Sequence, residues 1–348
     1  MRVCDYIASY LYDYGVKNVY GLMGGGASGL NDGFIKHGKI KYICFHHEQG
    51  AGYAGYAEAK STNKLSVVNP TTGCGGTNCM TPLLNSWQDS IPVLFLSGNV
   101  RLNHTSNYIN KTKGVSIRKY GVQEHDITNS VKSITKFAKV IEKVEDVKRI
   151  LEEALYIATT GRPGPVWLDI PSDIQTAEMP IESDSFISGN YVPSNPNNIL
   201  TIAYKTFSEM LEKSNRPIIL AGNGIHLSDS REIFKDFVEY HNTPFVSSYL
   251  GRDIMEYEHR LNLGAIGIKG TRAANFALHY CDLLLILGCS LNATHMGYDE
   301  SQFSPYSFKI MVDIDANELF KLKGPVNIDR TYCLNLKDFF DEYKIRKE

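Results

Sequence analysis

Residues 43–60 read ICFHHEQGAGYAGYAEAK: an apolar run, two histidines, a carboxylate, then almost nothing but small residues. A carboxyl group at such a strand-to-helix junction has two uses. Glu48 can bind free amides in the first helical turn, where the partial positive charge favours an anion. Desolvated, it can instead hold or move a proton for a bound ligand. His46 and His47 do not extend it to a metal centre. Neighbouring side chains at a strand end point in different directions, and no further ligand stands at a useful spacing. No metal ligand is expected. A second reactive group is Cys74 in TTGCGGT, a thiol on a tight turn into a helix, where helix-terminal amides can activate sulfur. The elbow of acyl-transfer enzymes places glycine two residues either side of its nucleophile, and here Thr72 takes one of those places. A small residue filling a turn explains Cys74 as well.

These groups need elements to position them. Unbroken apolar runs at 42–45, 65–68, 92–97 and 165–169, then at 217–221, 282–287 and 309–314, suit parallel strands covered on both faces. Between them lie helical patterns. Val147, Ile150, Leu151, Ala154, Leu155 and Ala158 form one stripe, stopped by Gly161 and Pro163. Ile233, Phe234, Phe237 and Val238 form another. The first 22 residues read as one amphipathic helix, interrupted by Asp5 and Asp13. Glycine-rich turns follow strands at 21–32, 69–78, 221–229 and 264–275. Loops at the carboxyl ends of parallel strands are where ligands bind, and glycine lets backbone approach them closely. None matches a dinucleotide fingerprint or a Walker loop, so each is read as either a tight turn or a ligand cradle.

The fold class expected is α/β: two domains, each a mostly parallel sheet flanked by helices. Residues 179–198, with Pro180, Pro193 and Pro196 among serines and asparagines, read as a linker between domains at 1–178 and 199–348. A net charge of -2 without a basic block argues against nucleic acid as a partner. No run approaches the roughly 20 apolar residues that span a bilayer. Seven scattered cysteines without a C-x-x-C pair point to free thiols rather than zinc or disulfides, and a cytoplasmic protein is expected.

The order of the motifs is more telling than any one of them. From HHEQGAGYAGYAEA through NPTTGCGGTNCMTPLLNSWQDSIPVLFLSGN, the chain resembles the pyrimidine-binding domain of thiamine-diphosphate-dependent enzymes, most closely the acetolactate synthase group. RKYGVQEHDI (118–127), SITKFAKVI (133–141) and GRPGPVWLDIPSDIQ (161–175) continue the match in order. RPIILAGNGI, GIKGTRAANFALHYCDLLLILGCSL and MVDIDANEL resemble the central domain. The resemblance implies that Glu48 hydrogen-bonds N1′ of the cofactor's aminopyrimidine and relays a proton, so that the thiazolium C2 carbanion can form and attack a 2-oxo acid. By the same match Gly24, Gly25 and Gly26 line the cofactor and substrate pocket. Cys74, Gly75 and Asn78 lie along the aminopyrimidine, and Gln123 lies near substrate. Gly270 and Thr271 fall where a flavin or another nucleotide sits, making FAD a candidate. The small residues from Gly50 to Gly55 would pack against a second subunit, giving a homodimer or larger assembly.

Cys74 and Met23 replace prolines of the family pattern, and Pro82 is expected to kink the helix after GGTN. The GDG motif of the family's diphosphate-binding domain is absent, and the match ends with the central domain. The expectation is therefore a 2-oxo-acid decarboxylase or carboligase that takes its diphosphate and Mg²⁺ site from elsewhere, in cis or in trans. Two other readings stand beside it. One is a non-catalytic binding or scaffold relative. The other is a thiol hydrolase pairing Cys74 with His46 or His47.

Overall fold

The computed structural model describes the whole chain except residues 181–183, 189–196, 323, 325 and 348. Much of the expected linker thus lies outside the described residues. The chain divides into two compact units, Met1–Val192 and Pro193–Glu348.

In the first unit six strands pair wholly in parallel: β1 (Asn18–Gly21), β2 (Lys41–Cys44), β3 (Ser66–Asn69), β4 (Val93–Asn99), β5 (Phe137–Val140) and β6 (Val166–Pro171). Their spatial order is β2-β1-β3-β4-β6-β5. The second unit repeats the plan with β7 (Pro217–Ala221), β8 (Phe245–Ser247), β9 (Asn262–Ala265), β10 (Leu283–Leu287), β11 (Phe308–Asp313) and β12 (Arg330–Cys333), ordered β12-β11-β10-β7-β8-β9. All of its strand pairs are parallel. Both sheets are the open α/β kind expected.

The unbroken apolar runs are explained by two cores per sheet. Along β7 and β10, Ile219, Leu285 and Leu287 enter one core while Ile218, Leu220, Leu284 and Ile286 enter the other. In the first unit Leu94, Leu96 and Leu168 face the core under the helix Val147–Thr159. Phe95 and Trp167 stack on the opposite face, 5.1 Å apart and 3° from parallel. Truncating either ring to alanine would cost about 3–5 kcal/mol.

The expectation of one helix over the first 22 residues is corrected. Helix α1 (Val3–Tyr14) stops at Gly15, whose φ of 112° lies in the left-handed region and whose amide donates back to Leu11 and Tyr12 carbonyls. Glycine alone takes that conformation cheaply. The next segment, Asn18–Gly21, is strand β1. Helices α2 (Ser28–His37), α3 (Glu48–Thr62), α4 (Cys74–Asn78) and α5 (Met80–Asp89) complete the region that matters for the site.

Pro82 does not kink its helix. The break between α4 and α5 falls earlier, at Cys79. Pro82 then occupies the first turn of α5, where no intrahelical bond needs its missing N–H. The small residues of α3 also serve the chain itself. A Cβ added to Gly52 would collide with Pro82, and one added to Gly55 would lie 2.5 Å from Val68 Cγ2. Glycine there brings α3 onto α5 and β3. All seven cysteines are free thiols. No helix among the described residues is long and apolar enough to cross a membrane.

Candidate active site

From β1 the chain crosses to β2 on one side of the sheet; from β3 it crosses to β4 on the other. Connections that part in this way leave a crevice beyond the carboxyl ends of β1 and β3, where ligands of open parallel sheets bind. The loops that reach it are those after β1 (from Met23), β2 (to Glu48), β3 (from Pro70) and β4 (to Gln123).

The structure distinguishes the two uses of Glu48. The cap of α3 is His47, in extended backbone, whose Nδ1 accepts the Gln49 amide at 3.1 Å. Glu48 is thereby released from capping. Its residue is 6% exposed. Asn78 Nδ2 donates to its Oε2 at 2.9 Å, and Cys79 Sγ donates to its carbonyl at 3.5 Å. Oε1 accepts no hydrogen bond among the described residues. It faces Gly75, where an added Cβ would stand 3.1 Å from it and 2.7 Å from Thr71 Cγ2. One carboxyl oxygen is pinned; the other lies against Gly75, where only glycine leaves room for it and for Thr71.

The glycines after β1 close the other wall. A Cβ on Gly24 would meet Thr71, and one on Gly26 would overlap Thr72 Oγ1, whereas Gly25 has open space around it. Gln175 fixes this loop from below: its Nε2 donates to Gly26 O at 2.7 Å, and its Oε1 accepts the Leu30 amide at 3.2 Å. Thr72 Oγ1 donates to Gly98 O at 3.1 Å, tying the turn after β3 to β4. Gly73, at φ 58°, lies against Gln123, so closely that a side chain would overlap the Gln123 carbonyl. Gln123 itself is exposed and also has positive φ, 56°. A non-glycine residue held there is a strained backbone position of the kind found at functional sites.

Of the residues singled out in the sequence, Gly24, Gly26, Glu48, Gly75 and Asn78 converge on this crevice, with Gln123 packed on the Gly73 turn. Gly25 borders it on the open side. Cys74 opens α4 and is exposed. It makes no side-chain hydrogen bond to His46 or His47 among the described residues. Gly270 and Thr271 belong to the second unit, in the turn after β9. The Gly270 amide donates to Gly267 O at 2.9 Å. Thr271 Oγ1 donates to Leu263 O at 2.8 Å and accepts the Ala274 amide at 3.1 Å. Its hydroxyl is thus occupied in capping. Beside that turn His295 is half-buried, with both ring nitrogens shielded from solvent and neither hydrogen-bonded. No cluster of three or more His, Cys, Asp or Glu among the described residues could hold a metal.

Sequence reasoning passed over Thr71, Thr72, Gly98 and Gln175, which shape the crevice. The signal for the threonines was their place directly after a strand in NPTTG. It also passed over Asp169, at the end of β6, which accepts from Ser97 Oγ at 2.5 Å and Asn99 Nδ2 at 2.7 Å. Burial pushes this carboxyl up to about 6 against the pull of both hydrogen bonds.

The crevice lies at the carboxyl edge of an open α/β sheet, where proteins of this class bind their ligands. The family is specific. Residues 1–130 match the thiamine pyrophosphate enzyme N-terminal TPP binding domain and residues 204–330 the thiamine pyrophosphate enzyme central domain, so the chain belongs to the thiamine pyrophosphate enzymes. The acetolactate synthase large subunit of Lactococcus lactis subsp. lactis (strain IL1403) is 34% identical over 312 residues, covering 90% of this chain and 52% of that protein. The probable acetolactate synthase large subunit of Methanocaldococcus jannaschii is 32% identical over 325 residues, 92% of this chain and 52% of the relative. Isozyme 1 of Escherichia coli (strain K12) is 30% identical over 329 residues, 92% and 54%. The chain spans about half the length of these relatives.

Proposed function

We propose that the chain is the aminopyrimidine-binding and central part of a thiamine-diphosphate-dependent carboligase of the acetolactate synthase type, acting on a 2-oxo acid. The observation that carries this reading is the Glu48 carboxyl, buried at 6% exposure, pinned by Asn78 through Oε2, with Oε1 beside Gly75 and without a hydrogen bond among the described residues. Those residues fit an aminopyrimidine. A flat heteroaromatic ring needs a carboxyl oxygen for a ring nitrogen, which Glu48 Oε1 offers, and loops that close around it, which Gly24 and Gly75 allow by packing on the Thr71 side chain while Gly25 borders open space. When bound, thiamine diphosphate supplies the electron sink for decarboxylation of the 2-oxo acid.

This chain's own part is positional and acid–base. Glu48 holds a proton at Oε1 for the ring nitrogen, and Asn78 fixes which oxygen is free to do so. Gln123, exposed on its strained turn, faces the substrate. Cys74 fills the loop beside the ring. In this reading the diphosphate and its Mg²⁺ are held by a diphosphate-binding domain in cis or in trans. The chain works in a homodimer or larger assembly in the cytoplasm. Tyr53, Ala57 and Lys60, exposed on α3, are among the residues of that helix left for a subunit contact. FAD is the nucleotide proposed for the second unit, with the imidazole of His295 beside the Gly267–Thr271 turn as its new contact. An FAD-induced rise in melting temperature, lost in His295→Ala, tests that part.

The main reading is tested by turnover. Combined with a diphosphate-binding domain, the chain should release CO₂ from a 2-oxo acid only when thiamine diphosphate and Mg²⁺ are added. An assembled protein with no thiamine-dependent turnover across a broad 2-oxo-acid panel would instead be a non-catalytic relative.

A further inference from the structure

Between Asp89 and Glu124 the chain contains no acidic residue, yet it carries Arg101, Lys111, Lys113, Arg118 and Lys119. All five are exposed. None forms an ion pair or side-chain hydrogen bond among the described residues, unlike Arg2, Arg149, Lys321, Arg346 and Lys347, which do. In a chain whose net charge is -2, what sets this segment apart is five cations on a stretch that holds no carboxylate.

The segment is also built to hold its shape. Glu124, 6% exposed, is a clamp at its base: Oε1 accepts the amides of Ser106 at 3.1 Å and Tyr120 at 2.9 Å, and Oε2 accepts the Ser106 hydroxyl at 3.2 Å. Asn110 Oδ1 accepts the Ile117 amide at 2.7 Å, closing the turn after the helix Ser106–Lys113. The Gly121 amide donates to His104 O at 2.9 Å. Three residues beyond Tyr120 stands Gln123, packed on Gly73 at the crevice. The cations are thus presented on a fixed surface beside the proposed active site.

We infer that this surface collects an anionic substrate, and that the second substituent of the 2-oxo acid or of its carbonyl co-substrate carries a further negative charge, as carboxylate or phosphate. A simple monocarboxylate would draw little from so much charge. A ligand with two anionic groups can leave one at the reacting end and set the other against Lys113, Arg118 and Lys119. Fixed like charges beside a cleft raise the local concentration of the opposite ion, typically by 10- to 10³-fold in rate, with steep salt dependence. The cavity of about 260 Å³ under the helix Ser106–Lys113 is a different feature, since its lining sets Lys111 and Lys143 against Glu124, Asp126, Glu142 and Asp169. That balance does not suit a dianion, so the ligand belongs on the outer, cationic face.

The inference rests on the thiamine reading for calling this a 2-oxo-acid site, but its test needs no thiamine. Calorimetric titration of the full chain compares pyruvate with 2-oxoglutarate, which adds a carboxylate, and with glyceraldehyde 3-phosphate, which adds a phosphate. At about 0.02 M NaCl at least one dianionic ligand should bind about 10-fold more tightly than pyruvate. The preference should shrink to about 2-fold at about 0.3 M NaCl, where the Debye length has fallen to ~6 Å. It should shrink equally in Lys113→Gln/Arg118→Gln/Lys119→Gln, whose melting temperature should not change because these exposed side chains form no hydrogen bond or ion pair among the described residues. Whichever probe wins identifies the second group. Pyruvate binding as tightly as both, no binding of either dianion, or a preference that survives in the triple variant would overturn the inference. Each of those results would leave the thiamine reading intact, and loss of that reading would leave the anion preference measurable.

Discussion

Asn78 Nδ2 donates to Glu48 Oε2 at 2.9 Å, joining the helix after β3 to the first turn of the helix after β2. The bond selects Oε1 as the open oxygen of a buried carboxyl. Asn78→Ala should therefore lower turnover of the completed enzyme by about 10- to 10²-fold, the kinetic equivalent of about 1–3 kcal/mol for leaving a buried group without its hydrogen-bond partner. Steady-state kinetics alongside a melting curve would separate this from unfolding. Turnover unchanged by the substitution would remove Asn78 from the site.

The three glycines after Met23 should not respond alike. A methyl group at Gly26 would overlap Thr72, while Gly25 has nothing within 4 Å. Gly26→Ala should destabilise by about 1–3 kcal/mol, as overpacking commonly does. Gly25→Ala should be within about 0.5 kcal/mol of the parent. Chemical denaturation of the two variants gives the comparison directly; equal losses would mean that the loop packs differently.

Much of this arrangement could be read in the residues. The central strands announced themselves as unbroken apolar runs because both faces are covered. Most edge strands did not: β12 (Arg330–Cys333) buries only Tyr332, and β5 (Phe137–Val140) is half-buried throughout, although the edge strand β2 was read from its run at 42–45 and the three-residue inner strand β8 was not. β9, the other edge of the second sheet, begins at Asn262 and likewise lacks an apolar run. β1 was hidden in the pattern of α1 because the break between them rests on Gly15 alone. At the site, Glu48 and the glycine turns were conspicuous. Thr71, Thr72 and Gln175 were not, since their roles come from contacts between loops far apart in sequence.

Asp169 should leave a mark on the pH dependence of stability. Burial raises its carboxyl from 3.8 to about 6, so the fold favours the protonated form. Its contribution is fully present below about pH 4, when both folded and unfolded states are protonated. It falls as pH rises towards about 6, because the unfolded chain ionises first, and is flat above that. At ~1.4 kcal/mol per unit the loss is about 3 kcal/mol. Urea unfolding of Asp169→Asn should show a flatter profile than the parent between about pH 4 and 6; parallel profiles would mean that Asp169 is not held neutral.

The chain alone should bind thiamine diphosphate weakly even with Mg²⁺ present. The residues assigned to the cofactor here meet only its aminopyrimidine, and no cluster among the described residues offers a metal site. Calorimetry with and without Mg²⁺ should show little difference. Tight, Mg²⁺-dependent binding would reveal a diphosphate site on this chain.

The most direct measurement is the turnover of a 2-oxo acid by the assembly completed with a diphosphate-binding domain, comparing Glu48→Gln with Cys74→Ala. Glutamine keeps the size and the bond to Asn78 but cannot hold an ionisable proton at the open position. Loss of such acid–base participation typically costs about 10²- to 10⁴-fold. Cys74→Ala, at an exposed thiol with no imidazole partner among the described residues, should stay within about 3-fold of the parent. That contrast is the result this account predicts. Retained turnover in Glu48→Gln together with its loss in Cys74→Ala would contradict it and make the thiol, not the carboxyl, the reactive group.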